Sequence, residues 1–174
     1  MTLASPQLVE PIEMTSPPVL AGFAGLYERH YEAVFRTALR VTGRPADAED
    51  VLQTVFLRLL SGTEHDEAAR RPAAYFRRAA VNAAVDLLRR RAVRAETAYD
   101  EAAPHAAIES GLLLKEQLRR AIATLDSEDA TLFLLRYVEG LSNQELGDLF
   151  QLEKNNVAVR LHRIRLRLQA EMQR

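Results

Sequence analysis

No segment of this chain alternates apolar and polar residues over a useful length; its apolar residues recur instead at steps of three and four. That periodicity belongs to helices with one buried face and argues against half-buried strands. Tyr27, Tyr31, Val34, Ala38 and Val41 follow steps of 4, 3, 4 and 3 in a helix expected from Phe23 onward. Thr42-Gly43-Arg44-Pro45 ends it. A second helix starts near Pro45–Asp47, where Pro suits the first turn and acids suit the positive end of the dipole. Its apolar face is Val51, Leu52, Val55, Phe56, Leu59 and Leu60. A third runs over about 73–94, with Phe76, Ala79, Ala80, Ala83, Leu87 and Leu88 inward. Its alanines let neighbouring helices approach closely. The β-branched residues are scattered, and the chain reads as all-α.

Breaks in this pattern set the organisation. Residues 1–21 hold Pro6, Pro11, Pro17 and Pro18 without periodicity and read as a disordered tail. Residues 61–72 have no apolar face and read as a loop. Residues 96–111 are acidic, contain Pro104 and read as a linker. Two helical domains remain, 22–95 and 112–174, each near the lower size limit for folding alone. The sequence has no cysteine, which excludes a disulfide framework, a thiolate zinc site and a catalytic thiol. No apolar run is long enough to span a membrane as a helix. No Lys or Arg precedes Arg29, so residues 1–20 do not read as a secretory signal, and the expected location is the cytoplasm.

A net charge of −1 conceals segregation. Residues 70–95 hold eight Arg and one Asp, and residues 151–174 hold six bases and two acids. The remainder is acidic, including four acids and no base over 96–111. Two basic blocks suggest a phosphate-bearing partner, although each is also compatible with a solvated helix face.

Near the C-terminus, Leu141-Ser142-Asn143-Gln144-Glu145-Leu146 carries a capping-box signature, with Ser142 as cap and Glu145 reaching back. A short helix continues to about Phe150, a turn spans 151–155, and a second helix runs over about 154–172. Val157, Leu161, Ile164 and Leu168 face inward, while Arg160, Arg163 and Arg167 line another face. A short turn between two helices, the second with a basic stripe, matches a helix-turn-helix whose second helix enters the major groove. An ordinary helical hairpin with a solvated Arg face is the alternative. In the first domain, residues 75–91 combine the aromatic pair Tyr75 and Phe76, the polar pair Asn82 and Asp86, and the run Arg89, Arg90 and Arg91. Aromatic rings and Arg together hold unstacked bases and single-stranded backbone. Core packing for the aromatics, mutual bonding of the polar pair, and dipole stabilisation for the arginines are the competing readings.

Taken together, the order and spacing of these motifs resemble the extracytoplasmic-function sigma factors of the sigma-70 family, over about 22–172. Region 2 of that family is similar to LYERHYEAVFRTAL (26–39), DAEDVLQTVFLRLL (47–60) and AYFRRAAVNAAVDLLRRR (74–91). Region 4 is similar to LDSEDATLFLLRYVEGLSNQELGDLF (125–150) and NNVAVRLHRIRLRL (155–168). The resemblance implies a sigma factor that binds core RNA polymerase, recognises −35 and −10 promoter elements and promotes DNA melting. It implies that the helix bearing Asp47, Asp50, Gln53 and Phe56 docks on the polymerase clamp coiled coil. It assigns the −10 element to the loop 61–72, with His65, Arg70 and Arg71, and to Tyr75, Arg78, Asn82, Asp86, Arg89, Arg90 and Arg91. It assigns the −35 element to Lys154, Asn155, Asn156, Arg160 and Arg163, gives region 4 a contact with the polymerase flap, and sends the acidic linker along the path of nascent RNA. An anti-sigma factor is an implied partner. The chain departs from the family at Tyr75, often Trp, and at Gln151, Glu153, Asn155, Asn156, Ala158 and Val159, so base preference does not carry over from relatives.

Two other functional classes fit parts of the pattern: a transcriptional regulator with a helical sensor domain, and a helical adaptor that touches no DNA. Neither needs an aromatic, arginine-rich helix in the first domain. No cofactor, metal or small-molecule substrate is expected. Asp47, Glu49, Asp50 and His65 match no ligand spacing, Gly-rich phosphate loops are lacking, and an enzyme is the least fitting class.

Overall fold

The computed structural model describes residues 18–61, 68, 70–97 and 110–173. They form seven helices, and no strand occurs among the described residues. In chain order these are α1 (Pro18–Thr42), α2 (Pro45–Leu60), α3 (Pro72–Thr97), α4 (Ser110–Thr124), α5 (Ser127–Tyr137), α6 (Asn143–Phe150) and α7 (Lys154–Met172). The helix α1 begins at Pro18, earlier than the apolar periodicity that starts at Phe23. Residues 18–21 thus belong to a helix and not to the expected tail, because Pro is tolerated in a first turn, where its missing N–H costs nothing. The rest of that tail, most of the loop 61–72 including His65, and the linker from 98 to 109 lie outside the described residues.

Helices α1, α2 and α3 pack pairwise into a bundle. Gly43 takes φ +74° and its N–H bonds to the Leu39 carbonyl at 2.8 Å, which closes α1 and turns the chain into α2. The bundle core joins Val34, Ala38 and Val41 to Val51, Val55, Phe56 and Leu59, and both to Phe76, Ala80 and Val81. Phe76 lies with its ring centroid 5.2 Å from Phe56 and 4.6 Å from His30. Burying a side chain of this size contributes about 1.5–3 kcal/mol.

Helices α4 to α7 form the second unit. Asp126 caps α5 by accepting from the Asp129 N–H at 2.9 Å. Ser142 and Glu145 make the reciprocal capping box at the start of α6. Gln151 closes α6 in the left-handed region, φ 56° and ψ 41°, and the Leu152 N–H returns to the Gly147 carbonyl at 2.9 Å. The core here includes Ile122, Leu125, Leu132, Leu135, Leu146, Val157, Leu161 and Ile164.

The two units pack on each other through α3, which contacts α1 and α2 on one side and α4 and α5 on the other. That double packing buries Val81, Ala84 and Val85 in addition to the face expected from periodicity. Polar contacts complete the seam. Thr37 Oγ1 donates to Glu139 at 2.8 Å, Arg119 Nε to the Val41 carbonyl at 3.0 Å, Thr131 Oγ1 to Asn82 at 2.6 Å, and Arg89 to the Leu125 carbonyl. Arg40 and Arg77 also approach Glu139, at 3.6 and 3.8 Å.

Candidate nucleic-acid and polymerase interfaces

The acidic start of α2 divides into a buried and an exposed part. Asp47 is 2% exposed and accepts a hydrogen bond from Arg91. Its second oxygen has no hydrogen-bond partner among the described residues. Phe56 is 4% exposed, in contact with the rings of Phe23, Tyr27 and Phe76. Asp50 and Gln53 are exposed and line a shallow surface pocket with Leu57, Arg90, Arg91 and Arg94. Of the four residues marked for polymerase docking, two face solvent and two support them from below. Asp47 is drawn under α3 by Arg91.

On α3, Tyr75 is 5% exposed and packs edge-to-face on Phe76. Arg70 and Arg71 are exposed just before the helix, and Arg90 is exposed near its end. Arg78 is half-buried and lines the cleft between the two units. Asn82 is engaged by Thr131, Asp86 lies 3.8 Å from Arg58, Arg89 bonds to the Leu125 carbonyl, and Arg91 is spent on Asp47. Asn82 and Asp86 do not bond each other, the alternative that their spacing allowed. A cavity of about 870 Å³ opens between the units, lined by Arg70, Arg71, Arg77 and Arg78 on one side and by Glu145, Asp148 and Gln151 on the other.

On α7 the inward positions hold as expected: Val157, Leu161, Ile164 and Leu168 are buried. Lys154, Asn155, Asn156 and Arg163 are exposed. Arg160 is occupied. Its Nε donates to Asp129 Oδ1 at 2.6 Å, and its Nη2 lies 2.6 Å from Glu128 Oε2 and 4.0 Å from Asp126 Oδ1. Burial works against its charge, but the Asp129 and Glu128 carboxylates outweigh that and raise its pKa. Burial likewise pushes the Asp126 carboxyl up, while the Asp129 N–H and Arg160 pull it below its ordinary value. Arg167 joins the cluster, 3.2 Å from Asp129 Oδ2. Asp129, Glu139 and Thr131 escaped sequence reasoning. Their partners lie 31 to 102 residues away, beyond any local pattern.

Among the described residues, no group of His, Asp and Glu is arranged to hold a metal ion, and no helix is long and apolar enough to cross a membrane.

Comparison with known proteins agrees with this layout. Residues 26–94 match the family model of sigma-70 region 2, and residues 115–168 match that of sigma-70 region 4. The chain belongs to the sigma-70 family, as an extracytoplasmic-function sigma factor that recognises promoters in transcription initiation. Its relatives include the ECF RNA polymerase sigma factor SigW of Bacillus subtilis, 22% identical over 166 residues, covering 86% of this chain and 88% of that protein. The RNA polymerase sigma-E factor of Streptomyces coelicolor is 27% identical over 144 residues, covering 81% and 80%. Among solved structures, the sigma factor RpoE of Bartonella quintana, crystallised with the anti-sigma factor NepR, aligns at a TM-score of 0.46 and 15% identity, covering 87% of this chain and 97% of that one.

Proposed function

We propose that this chain joins core RNA polymerase as a non-enzymatic factor and sets two promoter elements under two of its helices, α3 at −10 and α7 at −35. The observation that carries this reading is the order of the two family regions, each of which ends on an arginine-rich helix. On α2, the exposed Asp50 and Gln53 form the docking face for the clamp coiled coil. Phe56 serves that face by packing beneath it, and Asp47 by holding Arg91. Region 4 meets the flap.

At −10, the loop 61–72, with His65, Arg70 and Arg71, captures a flipped base. Flipping costs a few kcal/mol, which a hydrogen-bonding or stacking pocket offsets. Arg90 grips the strand backbone, joined by Arg78 once it gives up the interaction it makes in this structure. Asn82, Asp86, Arg89 and Arg91 reach DNA only by exchanging their present partners, and Tyr75 acts by packing. At −35, the exposed start of α7 enters the major groove with Lys154, Asn155 and Asn156, and Arg163 stands behind them. The partners are core polymerase, promoter DNA and an anti-sigma factor, and the place of work is the cytoplasm, where polymerase and chromosome meet.

Run-off transcription with core polymerase, on a template carrying the promoter upstream of the chain's own gene, is the test. A start-site-specific transcript that depends on the chain supports the reading; the same transcripts with and without the chain overturn it. Asp50→Arg should weaken core binding with unchanged helical content. Unchanged binding at moderate salt removes Asp50 from the interface.

A further inference from the structure

Which side chains of α7 reach bases follows from where its core face points. Val157, Leu161, Ile164 and Leu168 are buried and define that face. At about 100° per residue, Asn155, Asn156, Val159 and Arg163 fall in the opposite sector, and all four are exposed. Val159 is 50% exposed, a β-branched apolar side chain in the middle of that sector. Arg160 lies at the sector's margin, held by Asp129 and Glu128 at 2.6 Å each. Drawing it out to a base would leave Asp129, itself only 8% exposed, with Arg167 alone. Stripping a buried carboxylate of its main partner costs more than a single base contact returns.

We propose that α7 selects bases through Asn155, Asn156 and Val159, so that it fits a major groove of A·T pairs, and that Arg160 ties α7 to α5 and reads no base. This rests on the reading of α7 as the −35 helix. An Asn amide matches the N6 and N7 edge of adenine, and an apolar side chain packs on the C5-methyl of thymine. No arginine occupies the outward sector in the first two turns, so the usual bidentate guanine contact is missing there. Arg163 stands more than two turns into the helix. Recognition helices address base edges with their first residues, so its guanidinium falls to backbone phosphate.

The test assembles the full chain with core RNA polymerase and selects from a duplex library randomised through the −35 segment. Wild type should enrich A·T pairs at adjacent positions. Replacing the enriched thymines by deoxyuridine, which lacks the methyl group, should weaken wild-type binding about threefold and leave Val159→Ala indifferent. Asn156→Ala should lower discrimination at one A·T position roughly tenfold. Arg160→Gln should melt at lower temperature yet keep the ranking of sites. A G·C-centred consensus overturns the proposal, as does an Arg160→Gln variant that melts normally and loses preference at one position. Deoxyuridine discrimination retained by Val159→Ala overturns the role of Val159. Failure of wild type to enrich any sequence removes α7 as a −35 reader, and the proposal falls with it.

Discussion

Arg91→Ala should destabilise the first unit far more than an exposed arginine normally does. Arg91 is the hydrogen-bond donor to Asp47, whose side chain is 3% exposed, and the other Asp47 oxygen has no partner among the described residues. Removing one member of a buried pair strands a charge in the interior, at a cost of about 3–5 kcal/mol. The Arg91 side chain is itself 40% exposed, so water partly screens the pair; about 2 kcal/mol is the expected loss. Asp47→Ala removes the charge as well as the contact and should cost less, and the double variant should recover part of the loss, with a coupling of about 1–2 kcal/mol. Urea unfolding followed by far-UV circular dichroism measures all three. The same commitment has a consequence for DNA. Neutralising Arg90, which is exposed, should flatten the salt dependence of promoter binding by about one unit of slope, whereas neutralising Arg91 should leave the slope unchanged. An Arg91→Ala loss below about 0.5 kcal/mol, strict additivity in the double variant, or equal salt effects for both arginines would refute the argument.

Glu139→Ala should loosen the seam between the units by about 1–2 kcal/mol, since it removes the acceptor of Thr37 and the charge between Arg40 and Arg77; faster cleavage in limited proteolysis would register it. Gln151→Gly should stabilise by roughly 0.5–1 kcal/mol, because φ 56° suits glycine better than glutamine, and a higher urea midpoint would show it. Acid should weaken the second unit. Asp126 and Glu145 both lie below their ordinary carboxyl values of 3.8 and 4.5, so the unfolded chain binds protons first as pH falls. Their contribution is complete above those values, fades as pH drops through them, and is gone below the folded values. Asp126→Asn and Glu145→Gln should therefore be less stable than wild type at neutral pH and lose less of their stability between about pH 5 and pH 3 in acid titration.

Helix order and most inward positions were legible because period and caps are local properties of the chain; Tyr27, Tyr31 and Leu60, which share the expected apolar faces, are exposed at the ends of those faces. Val157, Leu161, Ile164 and Leu168 are buried where their spacing puts them, and Ser142 with Glu145 makes the box that its three-residue offset predicts. Charged residues were less legible. Arg160 and Arg163 are equivalent in a basic stripe, yet only Arg160 meets a carboxylate cluster, brought to it from 31 residues away. Arg89 and Arg91 differ from Arg90 for the same reason. Their partners, the Leu125 carbonyl and Asp47, come from other helices. The burial of Val81 and Val85 was hidden because a helix packed on two sides shows no single stripe.

Gly147 lies where α6 meets the turn into α7, and a Cβ added there would stand 2.5 Å from the Leu152 carbonyl oxygen. Even alanine would have to push the backbone of the turn aside. The angle at which α7 leaves α6 is thus set by a missing carbon and has no gradual adjustment, whereas Asn155, Asn156 and Val159 are exposed and lie outside the buried core. In evolutionary terms the domain separates aim from alphabet. New promoter preferences are open to descendants through single changes on the outer face of α7, while the platform that delivers that face must be inherited unaltered.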